Sequence, residues 1–162
     1  MSCDPAAPTA DALSRVTGVR LRRLQALFVR HWALFFRSRG VELSSVQGGL
    51  LLLIRENPGQ SQTAFARVLD VEAPSLAQSL APLVQAGLVL RYRAENDARA
   101  MALHLSKAGE AVAATISSGQ PEHEQRLLEA LTPQERSTLL ALLDKAIAGA
   151  EASVASAEKV QG

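Results

Sequence analysis

Apolar residues recur every three or four positions between 11 and 39: Leu13, Val16, Leu21, Leu24, Leu27 with Phe28, His31 with Trp32, and Phe35. That period predicts one long amphipathic helix, about 44 Å at the usual rise per residue. A domain of this size has no internal need for such a helix, so part of its stripe is expected to pack on another subunit. Gly40 ends it. Ser44 and Gln47 then form a capping box for a second helix that runs to about Glu56, where Asn57-Pro58-Gly59 marks a turn. Ser61 caps a short third helix with Phe65, Ala66 and Leu69 on its apolar face. Pro74, placed in a first turn, opens a fourth that Gly87 closes.

Beyond Gly87 the period changes from near four to two. Leu88, Leu90 and Tyr92 alternate with Val89, Arg91 and Arg93, and Met101, Leu103 and Leu105 alternate with Ala100, Ala102 and His104. Two strands joined by a polar tip are predicted over 87–106, with one apolar and one basic face. A fifth helix follows Lys107, and Gly119-Gln120-Pro121 is expected to kink or break it. Thr132-Pro133-Gln134-Glu135 is a second capping box, opening a sixth helix that carries Leu139, Leu140, Leu142, Leu143 and Ile147. The Ala- and Ser-rich stretch 151–162 is expected to fray, and 1–9 to form a mobile tail.

With 162 residues the chain suits one compact domain, or a small domain with long helical extensions. Its 48% apolar but only 4% aromatic content favours a mainly helical protein. The longest apolar run, 48–54, is too short to span a bilayer, and the first ten residues lack a secretory signal pattern, so a soluble, cytoplasmic protein without a membrane partner is expected. Cys3 has no partner for a disulfide or a metal site, and neither cofactor nor metal is implied. A net charge of +1 argues against nucleic acid only if the charge is evenly spread. It is not: residues 10–39 hold seven arginines against Asp11, whereas 110–162 hold eight acids against four bases. The asymmetry could serve DNA phosphates, an acidic ligand, or attraction between the two ends across an interface.

The third and fourth helices, separated by only three residues, have the proportions of a helix-turn-helix, whose second member enters the major groove. Its outer face near the start carries Ser75, Gln78 and Ser79, types able to contact bases, while Leu76, Leu80, Leu83 and Val84 face the core. At the tip of the hairpin, Asp97 can aim Arg99 toward a minor groove, although an incidental surface ion pair would look the same. No catalytic group emerges. His31, His104 and His123 lie on different elements, no serine sits at a nucleophile elbow, and Glu122-His123-Glu124 reads as a solvated helix face.

The run LLLIRENPGQSQTAFARVLDV, the helix APSLAQSLAPLVQAGLV, the hairpin and helix start NDARAMALHLSKAGEAV, and LTPQERSTLLALLDK together resemble the MarR family of bacterial transcription regulators over roughly residues 10–148. The most specific piece is Asp97-x-Arg99 followed by Leu105-Ser106-x-x-Gly109. The resemblance implies a mainly α fold: a winged helix-turn-helix with a β-hairpin wing and long N- and C-terminal dimerisation helices. It divides the chain into a tail (1–9), an N-terminal dimerisation helix (10–42), a DNA-binding lobe (43–106), C-terminal dimerisation helices (107–150) and a tail (151–162). It further implies a homodimer on a pseudo-palindromic operator, and an effector cleft between the dimerisation helices and each lobe.

Where the family commonly has threonine and arginine in the recognition helix, Ala77 and Gln78 stand here, and Ala81 and Pro82 replace a common Asp-Arg pair. Between Glu72 and Ala86 there is no lysine or arginine. Phosphate attraction then falls to Arg67, Arg91, Arg93 and Arg99, with Arg55 behind them. For an effector, His31, Trp32 and Phe35 with Arg20 and Arg23 suit an aromatic acid or its coenzyme A thioester, whereas a core aromatic beside a hydrogen-bonded histidine accounts for the same residues. The leading expectation is a ligand-responsive dimeric repressor released by its effector. The alternative is a winged-helix interaction module with weak or lost DNA binding.

Overall fold

The computed structural model describes residues 16–69, 71–94 and 97–161, with backbone alone at 94, 97–100 and 160–161. The element order is α1 (Thr17–Arg37), α2 (Ser45–Glu56), α3 (Gln62–Val68), α4 (Ala73–Gln85), β1 (Val89–Ala94), β2 (Asp97–Leu105), α5 (Lys107–Leu127) and α6 (Pro133–Gln161). Two compact units divide between His123 and Glu124. The tail 1–9, with Cys3, lies outside the described residues.

In the first unit, α1 buries only the C-terminal part of its stripe, Trp32, Phe35 and Phe36, while Leu21, Leu24 and Leu27 remain exposed. The helix ends in a Schellman motif. Gly40 takes φ 75°, its amide bonds Arg37 O at 3.0 Å, and Val41 N bonds Phe36 O at 3.0 Å. α2 starts on the expected capping box, in which Gln47 N donates to Ser44 Oγ at 3.2 Å and Ser44 N to Gln47 Oε1 at 2.9 Å. Its Gly48 lies against the Trp32 indole, so close that a Cβ there would overlap the ring.

The helix-turn-helix follows as expected. Ser61 Oγ accepts from Ala64 N at 3.2 Å to cap α3, and α4 begins with proline in its first turn. Leu76, Leu80 and Leu83 on α4 are fully buried beside Phe65 of α3 and Leu50, Leu51 and Ile54 of α2, in one hydrophobic core. α4 closes in a second Schellman motif with Gly87 at φ 68°.

The wing is a β1–β2 antiparallel hairpin with Val89 opposite Leu105, Arg91 opposite Leu103 and Arg93 opposite Met101. It also has a third partner that the alternation did not announce. Gly59 N donates to Leu103 O at 2.9 Å, Leu103 N donates to Gln60 O at 3.0 Å, and Ser61 bridges Ala102. The assignment of faces needs correcting. Val89, on the arginine side of β1, is 1% exposed, whereas Leu90 and Tyr92, expected on the apolar side, are 36% and 53% exposed. The core reaches only the base of the hairpin, where Val89 and Leu103 share a face; farther out that face is solvated and carries Arg91 and Arg93.

Two features expected of the C-terminal half, a break in α5 and a frayed end, are not found. α5 does not break at 119–121 but runs unbroken to Leu127 with Pro121 inside it. Proline deprives only the carbonyl four residues earlier of its donor, and that residue, Ser117, is exposed to water, which can take its place. Gly119 is also held where a Cβ would sit 3.0 Å from Phe36 Cε1, so packing fixes the helix across the proline. Likewise 151–161 is helical rather than frayed. Its alanines lose no side-chain entropy in a helix, and Ser156 Oγ bonds back to Ala152 O at 2.8 Å.

In the second unit α6 starts on the second capping box. Thr132 N donates to Glu135 Oε2 at 2.8 Å, the Thr132 hydroxyl donates to the same oxygen at 2.8 Å, and Glu135 N donates to Thr132 Oγ1 at 3.3 Å. These bonds, first the Thr132 amide and then its hydroxyl, hold the Glu135 carboxyl below its ordinary value of 4.5. A group whose folded pKa is depressed stabilises above its unfolded pKa, and loses that contribution as pH falls through the folded value. Helicity at the start of α6 is therefore expected to decline on acidification below about pH 4.5, and the decline should flatten in Glu135→Gln. Circular dichroism of both proteins across that range checks this, and identical acid profiles would remove the cap from the account.

Candidate nucleic-acid interface and effector region

α4 presents two unlike faces. Its leucines are locked inward, while Ser75 and Gln78 are exposed and Ser79 is half-buried at the edge between them. No basic residue lies on this helix. Arg67 is exposed in the last turn of α3, and Arg91 and Arg93 are exposed on the wing, so both elements that neighbour α4 carry positive charge. Asp97 lies at the start of β2; its side chain and that of Arg99 fall outside the described residues. Opposite the arginines, Tyr92 meets His104 edge-on with centroids 5.4 Å apart.

A polar contact ties α4 to α2. Gln47 Nε2 of α2 reaches Ser79 O of α4 at 3.5 Å. The capping-box pattern identified Gln47 as a cap, and nothing in that pattern foretold its second contact.

The residues expected around an effector divide into two groups. His31, Trp32 and Phe35 come together: His31 stacks on Phe35 at 6.0 Å between centroids, and Trp32 Nε1 donates to Leu43 O at 3.3 Å. Trp32 and Phe35 are nearly inaccessible, and His31 is half-buried. Arg20 and Arg23 lie two to four turns nearer the N-terminus on the exposed part of α1, about 12–22 Å along the axis from the rings.

The centre of the ring cluster is a residue read differently from the sequence. His123, expected on a solvated face, is 0% exposed. Its ring lies 4.8 Å from His31, 5.1 Å from Phe28, 5.4 Å from Trp32 and from Phe35, and 5.7 Å from Phe36. The signal was present in the buried stripe of α5, Gly109, Ala113, Ile116, Gly119 and His123, which keeps helical spacing but contains few large apolar residues. Arg39 joins the cluster without a sequence pattern that singles it out. Its guanidinium sits 3.7 Å from the Phe35 ring centroid and pairs with Glu122 Oε2 at 2.6 Å. An open cleft of about 380 Å³ lies nearby, lined by Ala33, Arg37, Val41, Glu42, Leu43 and Ser44.

A short helix, a tight turn, a second helix with a polar outer face, and a hairpin beside it define a winged helix-turn-helix protein of the transcription-regulator class. Comparison with known proteins narrows the class. Residues 43–101 match the MarR family. The transcriptional repressor CouR, solved bound to a 23-mer DNA duplex, is 30% identical, with 88% of this chain and 99% of that chain covered and a TM-score of 0.78. A putative transcriptional regulatory protein for the hcr operon of Thauera aromatica is 33% identical over 97 residues, 60% of this chain and 58% of that protein. The PcaV transcriptional regulator from Streptomyces coelicolor, in complex with its natural ligand, shares the fold at 23% identity, with 90% of this chain and 99% of that chain covered and a TM-score of 0.76. The chain belongs to the MarR family of transcription regulators, which are not enzymes. Among the described residues no helix is long and apolar enough to cross a membrane.

Proposed function

We propose that the chain is a homodimeric repressor that reads a pseudo-palindromic operator and is released by a small effector. The observation that carries this reading is α4, anchored by three fully buried leucines and exposing Ser75 and Gln78, with the cations Arg67, Arg91 and Arg93 on the elements that neighbour it. Ser75, Gln78 and Ser79 face bases, Arg91 and Arg93 meet phosphates, and Arg99, aimed by Asp97, enters the minor groove. The lobe 43–106 reads DNA, and the helices within 10–42 and 107–150 join two copies. The exposed Leu21, Leu24 and Leu27 of α1, and separately Leu140, Leu142 and Ile147 of α6, support that pairing, because large apolar side chains at helical spacing call for a covering surface. DNA bound to the 30%-identical CouR supports the choice of partner.

The effector in this reading is an aromatic acid or its coenzyme A thioester, its ring admitted at the half-buried His31 edge of the ring cluster beside Trp32 and Phe35; the phosphates of the thioester, unlike the carboxylate of a free acid, are far enough from the ring to meet Arg20 and Arg23. A gel-shift titration on the DNA flanking the chain's own gene tests the reading. A shift at low salt, reversed by a phenolic acid or its thioester, is expected; no shift by intact protein at low salt overturns it. Replacing Arg91 and Arg93 together by alanine should reduce the salt dependence of binding by about one unit of slope per lost phosphate contact. Arg99→Ala should weaken binding by more than either wing-strand arginine alone.

The absence of any lysine or arginine from α4 favours a second reading, an interaction module that has lost DNA binding. A dimer that shifts no duplex yet retains one protein partner through α1 would establish it.

A further inference from the structure

Pro82 lies inside α4, on its exposed side. Proline has no amide hydrogen, so the carbonyl of Gln78, four residues earlier, loses its helical donor, and the proline ring crowds the same turn. That turn carries Gln78 and Ser79, both assigned to base contact. The helix is thus weakest where the reading side chains must be held most closely. Leu76, Leu80 and Leu83 press the inner face onto the core, but an apolar side chain supplies no donor to the carbonyls of this turn.

Gln47 of α2 reaches this turn and uses both ends of its amide. Oε1 accepts from Ser44 N at 2.9 Å, which locks the side chain in the capping box, and Nε2 is thereby aimed at Ser79 O, 3.5 Å away. Ser79 O is the carbonyl next to the one that proline leaves without a donor. We propose that Gln47 is a positioning residue for DNA reading, its side-chain amide steadying the Pro82-weakened turn of α4 so that Gln78 and Ser79 keep a fixed aim. The inference rests on the DNA-reading function proposed above. It assigns Gln47 a role in specificity although it need touch no nucleotide.

Gln47→Glu separates the two jobs of the side chain. Glutamate completes a capping box as well as glutamine does, and its charge suits a helix N-terminus, so α2 is retained; the donor to Ser79 O is lost. Amide hydrogen exchange on the full chain should then quicken about fivefold at residues 83–85, with α2 unchanged. Affinity for duplexes enriched by the wild-type chain from a randomised library should fall by a similar factor. Pro82→Ala restores a donor to the Gln78 carbonyl, so in that background the loss from Gln47→Glu should shrink to less than twofold.

The added carboxylate repels DNA equally in both backgrounds, so an equal loss with and without Pro82 overturns the proposal. Unchanged exchange at 83–85 overturns it as well, whatever DNA does. If the wild-type chain enriches no duplex, the DNA-reading function fails on its own account, and the exchange rates still decide whether Gln47 steadies α4.

Discussion

Truncating His123 to alanine is expected to destabilise the protein by about 3–4 kcal/mol, close to the cost of removing a buried phenylalanine. The imidazole is completely buried, and five rings from α1 stand with centroids between 4.8 and 5.7 Å from its own. Removing it leaves a hole walled by large planar side chains that cannot all collapse into it, so lost dispersion adds to lost burial. Arg39 and Glu122 lie beside the hole, and their ion pair would gain water as the cluster loosens. His123→Phe keeps a ring in place and should cost less than half as much. Urea unfolding at fixed protein concentration checks this: the midpoint should fall with the slope unchanged. A loss below about 1 kcal/mol would mean that the ring cluster contributes little to the fold.

The second large effect is expected at Gly109, in the first turns of α5. A Cβ there would overlap the Leu88 carbonyl oxygen and come 3.0 Å from its carbon, with Leu105 Cβ at 3.4 Å. The obstacle is backbone on the other side of the wing's base, so no rotamer change relieves it. The same junction is tied by Ser106, whose amide bonds Leu88 O at 3.0 Å and whose hydroxyl donates to Gly87 O at 2.7 Å and accepts from Gly109 N at 3.1 Å. Alanine is the better helix former by about 1 kcal/mol, but the overlap forces β1 and α5 apart. Gly109→Ala should therefore lower stability by a net 2–3 kcal/mol and speed amide exchange at Leu88 and Ser106. Gly149→Ala is the control of opposite sign: beyond its own helix backbone and chain neighbours nothing lies within 4 Å of its Cβ position, so propensity dominates and a small stabilisation is expected. If Gly109→Ala also stabilises, the close approach at the wing's base is not a constraint on the fold.

Local rules were legible wherever the chemistry was local. Ser44 with Gln47, Ser61, Thr132 with Glu135, and the glycines at 40 and 87 all end or begin helices where their side chains and dihedrals place them. The helix-turn-helix and the outward Ser75 and Gln78 were likewise readable, because three leucines at helical spacing define the opposite face, with Ser79 at the edge between them. What escaped depended on distant partners. Pro121 carries a breaking signal, but Phe35 and Phe36 pack over Gly119 and hold α5 through it. His123 looked solvated between two glutamates because its rings come from a helix about ninety positions earlier in the chain. The face of the wing that meets the core was misread because strict alternation assumes that one face is buried along its whole length, whereas here only its base is covered.

The pairing of β2 with 59–61 bears on how an operator can be matched. Gly59 and Gln60 exchange backbone hydrogen bonds with Leu103, so the strand leading to the wing and the segment leading into α3 move as one piece. If α4 and Arg99 read the two grooves as proposed, these bonds tie the base of the wing to the entry of α3 and make the span between the two readers within a protomer a fixed gauge. In the proposed dimer, the adjustable length is the one between the two gauges. Operators that differ in the number of base pairs separating their half-sites should thus be sorted by the helices that join the copies, while a changed interval inside a half-site should be refused outright.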